Sequence, residues 1–245
     1  MMKPAAPALI GIAHGSRNPA AAEATESLVA AAGALLGVEA HAAYLEDFAS
    51  PSIPEVVGAL AEHGYSSAIA VPLLFTEAYH ATEDAPGGLH EAEKAHDITL
   101  AQTGVIGTGE DLVTVLASHL ARGESEGSRG EIILLGVGSS RPGANEAVES
   151  LARKLSARIS RDVHARFATC APRLGDRLEA GTTPGTVLPL FAAPGLLLDK
   201  ARGRAEEAGW LVLGHLGDAL APIVAARYES ALKEFSAREG SASPP

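Results

Sequence analysis

The chain has 245 residues and is short of several residue types, and each shortage removes a class of protein. Its single cysteine, Cys170, excludes an internal disulfide and any cysteine-rich metal cluster. Aromatic residues make up only 4%, so cores must be assembled from Ala, Val, Leu and Ile. Lys and Arg number 19 against 30 Asp and Glu, a net charge of -11. That balance opposes nucleic-acid binding, where a basic surface must displace counterions from phosphates. Neither a run of about 18 apolar residues nor a basic segment leading into an apolar one is found, so membrane insertion and export lack support and the expected location is the cytoplasm. What remains, with 47% hydrophobic residues, is a globular chain long enough for two domains.

An internal repeat supports the two-domain reading. "LIGIAHGSRNPAAAEATESL" begins at Leu9 and "LLGVGSSRPGANEAVESL" at Leu134. Each is an apolar run, a Gly/Ser turn and a segment of helical composition, the signature of a buried parallel strand feeding a helix. In the first, Asn18 is the expected N-cap, Pro19 the first helical residue and Gly37 the stop. Strand and helix patterns then alternate in the same order through both halves: Glu23 recurs as Glu146, His41 as His164 and Pro72 as Pro189. The expected fold is α/β, two tandem doubly wound parallel-sheet domains. Their expected bounds are 1–122 and 131–245, with the Gly/Ser-rich stretch 122–130 as linker.

A duplicated fold keeps scaffold positions in common, so differences between the halves expose candidate chemistry. With the halves matched in order, His14 faces Gly138, Glu46 faces Thr169 and His80 faces Leu197. All three first-half residues fall at or just beyond strand ends, where open parallel sheets bind ligands. Alone, each has a bland alternative: a histidine after a strand is more often a capping residue, and an acidic residue there is commonplace. Together, two imidazoles and a carboxylate form a donor set for a divalent first-row metal with coordination positions left open. The remaining histidines are expected to be scaffold (His41, His164), to lie in helices and loops with no partner at metal-ligand spacing (His63, His90, His96, His119), or to sit beyond a strand in the half without the three donors (His215).

"IAHGSR", "AAYLED" and "AVPLLFTEAYHATEDAP" resemble the class II tetrapyrrole chelatases of the sirohydrochlorin chelatase, CbiX type. The resemblance covers the first half by motif and the second by fold pattern. It departs at Ala78, where the family often has glycine. It implies two chelatase-like domains facing a central cleft, His14 and His80 as metal ligands acting at the tetrapyrrole, and Glu46 as their acidic partner, ligand or base. It implies no permanent cofactor, the metal being a substrate, Fe²⁺ for sirohaem or Co²⁺ for cobalamin. The macrocycle is a polycarboxylate, and Ser16, Arg17 and Arg141 are the expected substrate-binding residues, the two arginines occupying equivalent places in the halves. Apolar residues of "PLFAAPGLLLDKARGR", with Lys200 and Arg202, would serve its ring face and carboxylates from the second half. Because one chain holds both halves, a monomer suffices. The competing reading is a metal or tetrapyrrole carrier without turnover; a hydrolase using His14 and Ser16 lacks a Gly-x-Ser-x-Gly elbow.

Overall fold

A computed structural model describes residues 6–46, 49–76, 85–125, 130–178 and 183–241. It holds two four-stranded parallel sheets. The first has the order β2-β1-β3-β4, from β1 (Ala8–Ala13), β2 (Ala40–Tyr44), β3 (Ser67–Pro72) and β4 (Thr99–Gln102). The second repeats it as β6-β5-β7-β8, from β5 (Ile132–Gly136), β6 (Val163–Phe167), β7 (Thr186–Pro189) and β8 (Leu211–Val212). The tandem α/β architecture expected from the repeat is therefore present.

Side chains on the first sheet divide by alternation. Ala8, Ile10, Ile12, Ala68 and Ala70 bury against α2 (Ile53–Glu62) and α3 (Ala85–His96) through Val56, Val57, Leu60, Leu89 and Ala92. Gly11 points the other way, so close to α1 (Pro19–Leu36) that an added Cβ would stand 2.2 Å from Val29 Cγ2. Helix α1 starts and stops where its sequence says: the Asn18 side chain accepts from Ala20 N at 3.1 Å, Pro19 is the first residue, and Gly37 ends it. In the second sheet Ile133, Leu135 and Val187 pack with Leu174, Ala201, Ala205 and Trp210. These last come from α6 (Leu174–Leu178), α7 (Leu196–Glu207) and the segment after it; neither helix was among the expected elements, and the five residues of α6 are too few to carry a periodicity.

The linear bounds 1–122 and 131–245 need correction. The compact units are Met1–Gly107 with Leu220–Pro245 (unit 1) and Thr108–Ala219 (unit 2). Helix α8 (Ala221–Ser241) packs on α1 and β3 of unit 1, where Tyr228 is buried and its hydroxyl donates to Pro7 O at 2.6 Å. Helix α4 (Glu110–Gly123), which follows β4 in sequence, packs instead on α5 (Pro142–Ile159) of unit 2. Each unit is thus completed by the helix that follows the other unit's sheet. No helix among the described residues is long and apolar enough to cross a membrane.

Candidate metal and substrate site

The first strand pair carries the site. The β1/β2 ladder continues past both strands: Leu45 N donates to Ala13 O at 3.1 Å and Glu46 N to His14 O at 3.1 Å. This brings His14 and Glu46 side by side at the carboxyl end of the sheet, with His14 Nε2 and Glu46 Oε1 3.4 Å apart. Their side chains are 44% and 34% exposed, so both are open to a ligand from solvent. At metal–ligand bonds of about 2.1 Å, two donors on a tetrahedral ion stand about 3.4 Å apart, so the pair is spaced for one cation. His80, the expected third donor, falls in 77–84, outside the described residues, as do Ala78 and the first two residues of "EDAP". Among the described residues no group of three His, Cys, Asp or Glu is set to hold a metal ion.

Of the expected substrate-binding residues, Ser16 is half-buried in the β1–α1 turn, its Oγ accepting from Asn18 N at 3.1 Å. Arg17 is exposed in the same turn, at the N-terminus of α1. Arg141 is exposed at the N-cap of α5.

The hydrogen bonds correct the comparison of the halves. Ile12 O accepts from Leu73 N as Leu135 O does from Leu190 N, both at 2.8 Å. His14 O accepts from Glu46 N as Val137 O does from Thr169 N, at 3.1 and 3.0 Å. Gly15 and Gly138 share positive φ values of 103° and 94°. Ser16 and Ser139 each accept from the residue two further on, Asn18 and Arg141, and these two are the matching N-caps. The true counterpart of His14 is Val137, with Gly138 answering Gly15 and Ser140 answering Arg17. Arg141 corresponds to Asn18, so the two arginines do not hold equivalent places. The sequence held the signal: the pairs Glu23/Glu146, His41/His164 and Glu46/Thr169 all lie at an offset of 123, whereas His14/Gly138 lies at 124.

The pairing of His80 with Leu197 also fails. Twelve residues separate β3 from α3, but six separate β7 from α7, and Leu197 lies inside the first turn of α7. The connection between β7 and α7 is half as long as the one between β3 and α3. Nor does Arg202 offer its charge freely: its guanidinium donates to Val212 O and Leu213 O at 3.0 and 2.8 Å, clasping the end of β8.

The other described histidines are held elsewhere or carry no metal cluster. His41 Nε2 lies 2.8 Å from Glu39 Oε1, and with the Tyr65 hydroxyl it holds the Glu39 carboxyl below its ordinary range. His119 Nε2 lies 3.1 Å from Gly214 O, and burial together with the nearby His119 holds the His215 imidazole below its usual value.

The family model for CbiX matches residues 8–122, the stretch that includes both His14 and Glu46. A sirohydrochlorin ferrochelatase of Priestia megaterium is 23% identical over 240 residues, covering 92% of this chain and 90% of the relative. The structure of SirB from Bacillus subtilis with Fe³⁺ superposes with a TM-score of 0.81 at 19% identity, covering 95% of this chain and 98% of SirB. The sirohydrochlorin chelatase SirB from Bacillus subtilis subspecies spizizenii in complex with cobalt gives 0.78 at 20% identity, covering 95% and 97%. These structural likenesses establish the shared two-sheet fold. The segment that carries the His14–Glu46 pair is thus the one that matches the CbiX family model, and the chain as a whole is similar in fold to the SirB structures.

Proposed function

We propose that this protein inserts a divalent metal ion into sirohydrochlorin, with Fe²⁺ or Co²⁺ as the metal substrate. The observation that carries this reading is the His14–Glu46 pair, 3.4 Å apart at a strand end inside the CbiX-matching segment. Insertion replaces two pyrrole N–H protons by one M²⁺ and releases both protons. It therefore needs a donor that holds the ion loosely and a base that accepts protons. A neutral imidazole can do either, since its unperturbed pKa lies near physiological pH. His14 meets the metal, Glu46 supplies the anionic donor beside it or takes up a proton, and His80 completes the set. Both side chains are solvent-accessible, which suits an ion that must arrive and leave. Arg17 and Arg141, exposed at the starts of α1 and α5, supply the positive charge that a polycarboxylate requires of so acidic a chain, and Ser16 presents the α1 turn to it.

The relatives support the chemistry by their names: one is a sirohydrochlorin ferrochelatase, and the SirB structures contain Fe³⁺ and cobalt. The test is anaerobic incubation of sirohydrochlorin, in large excess over protein, with Fe²⁺, Co²⁺ or Ni²⁺ in turn, following the visible absorption of the macrocycle. Conversion of many equivalents per chain, faster than without protein, is the expected result. A spectral change that stops at one equivalent identifies a carrier and overturns the proposal.

A further inference from the structure

Gly15 lies between His14 and Ser16 with φ +103°, a conformation that L side chains rarely adopt. A Cβ on it would stand 2.9 Å from Ala49 Cβ, closer than real Cβ atoms come, and 3.4 Å from Glu46 Cβ. Glu46 and Ala49 are tied by the hydrogen bond from Ala49 N to Glu46 O, 2.9 Å, so pressure on one is felt by the other. Glu46 is in turn joined through its backbone N–H to His14 O. The turn after β1 thus passes against the segment after β2 at a distance that only a missing side chain permits.

Resting on the proposed function, we infer that Gly15 is a positioning residue that sets the spacing of the His14 and Glu46 donors for the metal. Any side chain at 15 pushes Ala49 and Glu46 outward and opens the pair. The second unit provides the control. Gly138 has the same backbone form at φ +94°, and a Cβ there would crowd Cys170 Sγ at 2.7 Å and Thr169 Oγ1 at 2.8 Å. Its neighbours, however, are Val137 and Thr169, which make no imidazole–carboxylate pair. Alanine at either glycine strains a turn; only at 15 does it separate two donors.

The experiment compares Gly15→Ala, Gly138→Ala, Glu46→Gln and Gly15→Ala/Glu46→Gln in the full-length chain, using Co²⁺ alone as probe and steady-state insertion as a second readout. Gly15→Ala is expected to weaken Co²⁺ binding by about tenfold or more, as Glu46→Gln does, and the double variant should bind no worse than either single one. The kcat for insertion should fall while KM for sirohydrochlorin stays within about twofold. Gly138→Ala should lower Tm comparably yet keep Co²⁺ affinity within about twofold of the starting protein. Gly15→Ala/Ala49→Gly, which removes the nearest opposing atom, should regain Co²⁺ affinity and keeps the test open if the single variant folds poorly. Equal losses of Co²⁺ affinity in Gly15→Ala and Gly138→Ala, or additive effects with Glu46→Gln, overturn the inference. So does a crystal structure of Gly15→Ala with His14 Nε2 still about 3.4 Å from Glu46 Oε1, whatever the activity. If Co²⁺ binding follows the expected pattern but sirohydrochlorin stays metal-free, the proposed function fails and the positioning role stands.

Discussion

His14 and Glu46 occupy a rung of the β1/β2 ladder that lies beyond the strands themselves, so their backbones are fixed while their side chains stay wet. Removing either exposed side chain is therefore expected to cost little stability. His14→Ala is expected to lower kcat for insertion by about a hundredfold or more. Stability should stay within about 0.5 kcal/mol, as for other exposed side chains, which a thermal melt checks. Glu46→Gln keeps the shape and removes the charge, and its kcat should fall with little change in Tm. At this scale the sequence was legible in kind and less so in place. His14 and Glu46 could be named because strand-end His and Glu are absent from the second copy. The position matching His14 is ambiguous by one residue in the letters, because "GSR" of the first half fits both "GSS" and "SSR" of the second. The backbone breaks the tie: a positive φ at Gly15 and Gly138 is a constraint that letters alone do not show.

Among the elements, strands and long helices were readable because their apolar runs and caps are local, as in α1 between Asn18 and Gly37. What was not readable was held by distant partners. Glu124, just after α4, forms an ion pair with Arg161, which also donates to Gly130 O at 2.9 Å, and it accepts a hydrogen bond from the Thr186 hydroxyl. Burial alone would raise the Glu124 carboxyl, but the bonds from Arg161 and Thr186 outweigh it and hold the group below its ordinary value of 4.5. A carboxyl whose pKa is lower folded than unfolded contributes stability that is complete above the unfolded value and lost as pH falls through the folded one. Tm should therefore drop below about pH 4.5, and part of that drop should vanish in Arg161→Ala. At neutral pH the same substitution leaves a buried carboxylate without its cation, at a cost of about 2 kcal/mol, since Arg161 is itself partly exposed. A pH series of thermal melts on both proteins reads both effects.

Over the whole molecule, the repeat announces two sheets, but the compact units do not follow the order of the chain. Helix exchange leaves no trace in composition or periodicity, because α4 and α8 each look like the natural close of the sheet before them. Its effect on truncation is direct. A fragment 1–122 lacks α8, which packs on α1 and β3, and retains α4 without α5. We expect it to be unable to form a stable unit 1, giving weak near-UV dichroism and rapid amide exchange in β1 and β3. Tyr228→Ala, which removes the largest buried side chain of α8 and its bond to Pro7 O, should cost about 3 kcal/mol or more. That loss should appear as early unfolding of the first sheet.

The exchange also has a consequence for the order in which the protein is made. The strands β1 to β4 are complete once Gln102 has been synthesised, but the helix that covers α1 and β3 begins only at Ala221. At about 5–20 residues per second the ribosome needs roughly ten seconds to cross that interval. Throughout it the first sheet waits with an apolar face uncovered. The unit that carries His14 and Glu46 is thus closed by a helix made after the other unit's whole sheet, and a nascent chain cannot complete it until α8 has left the ribosome.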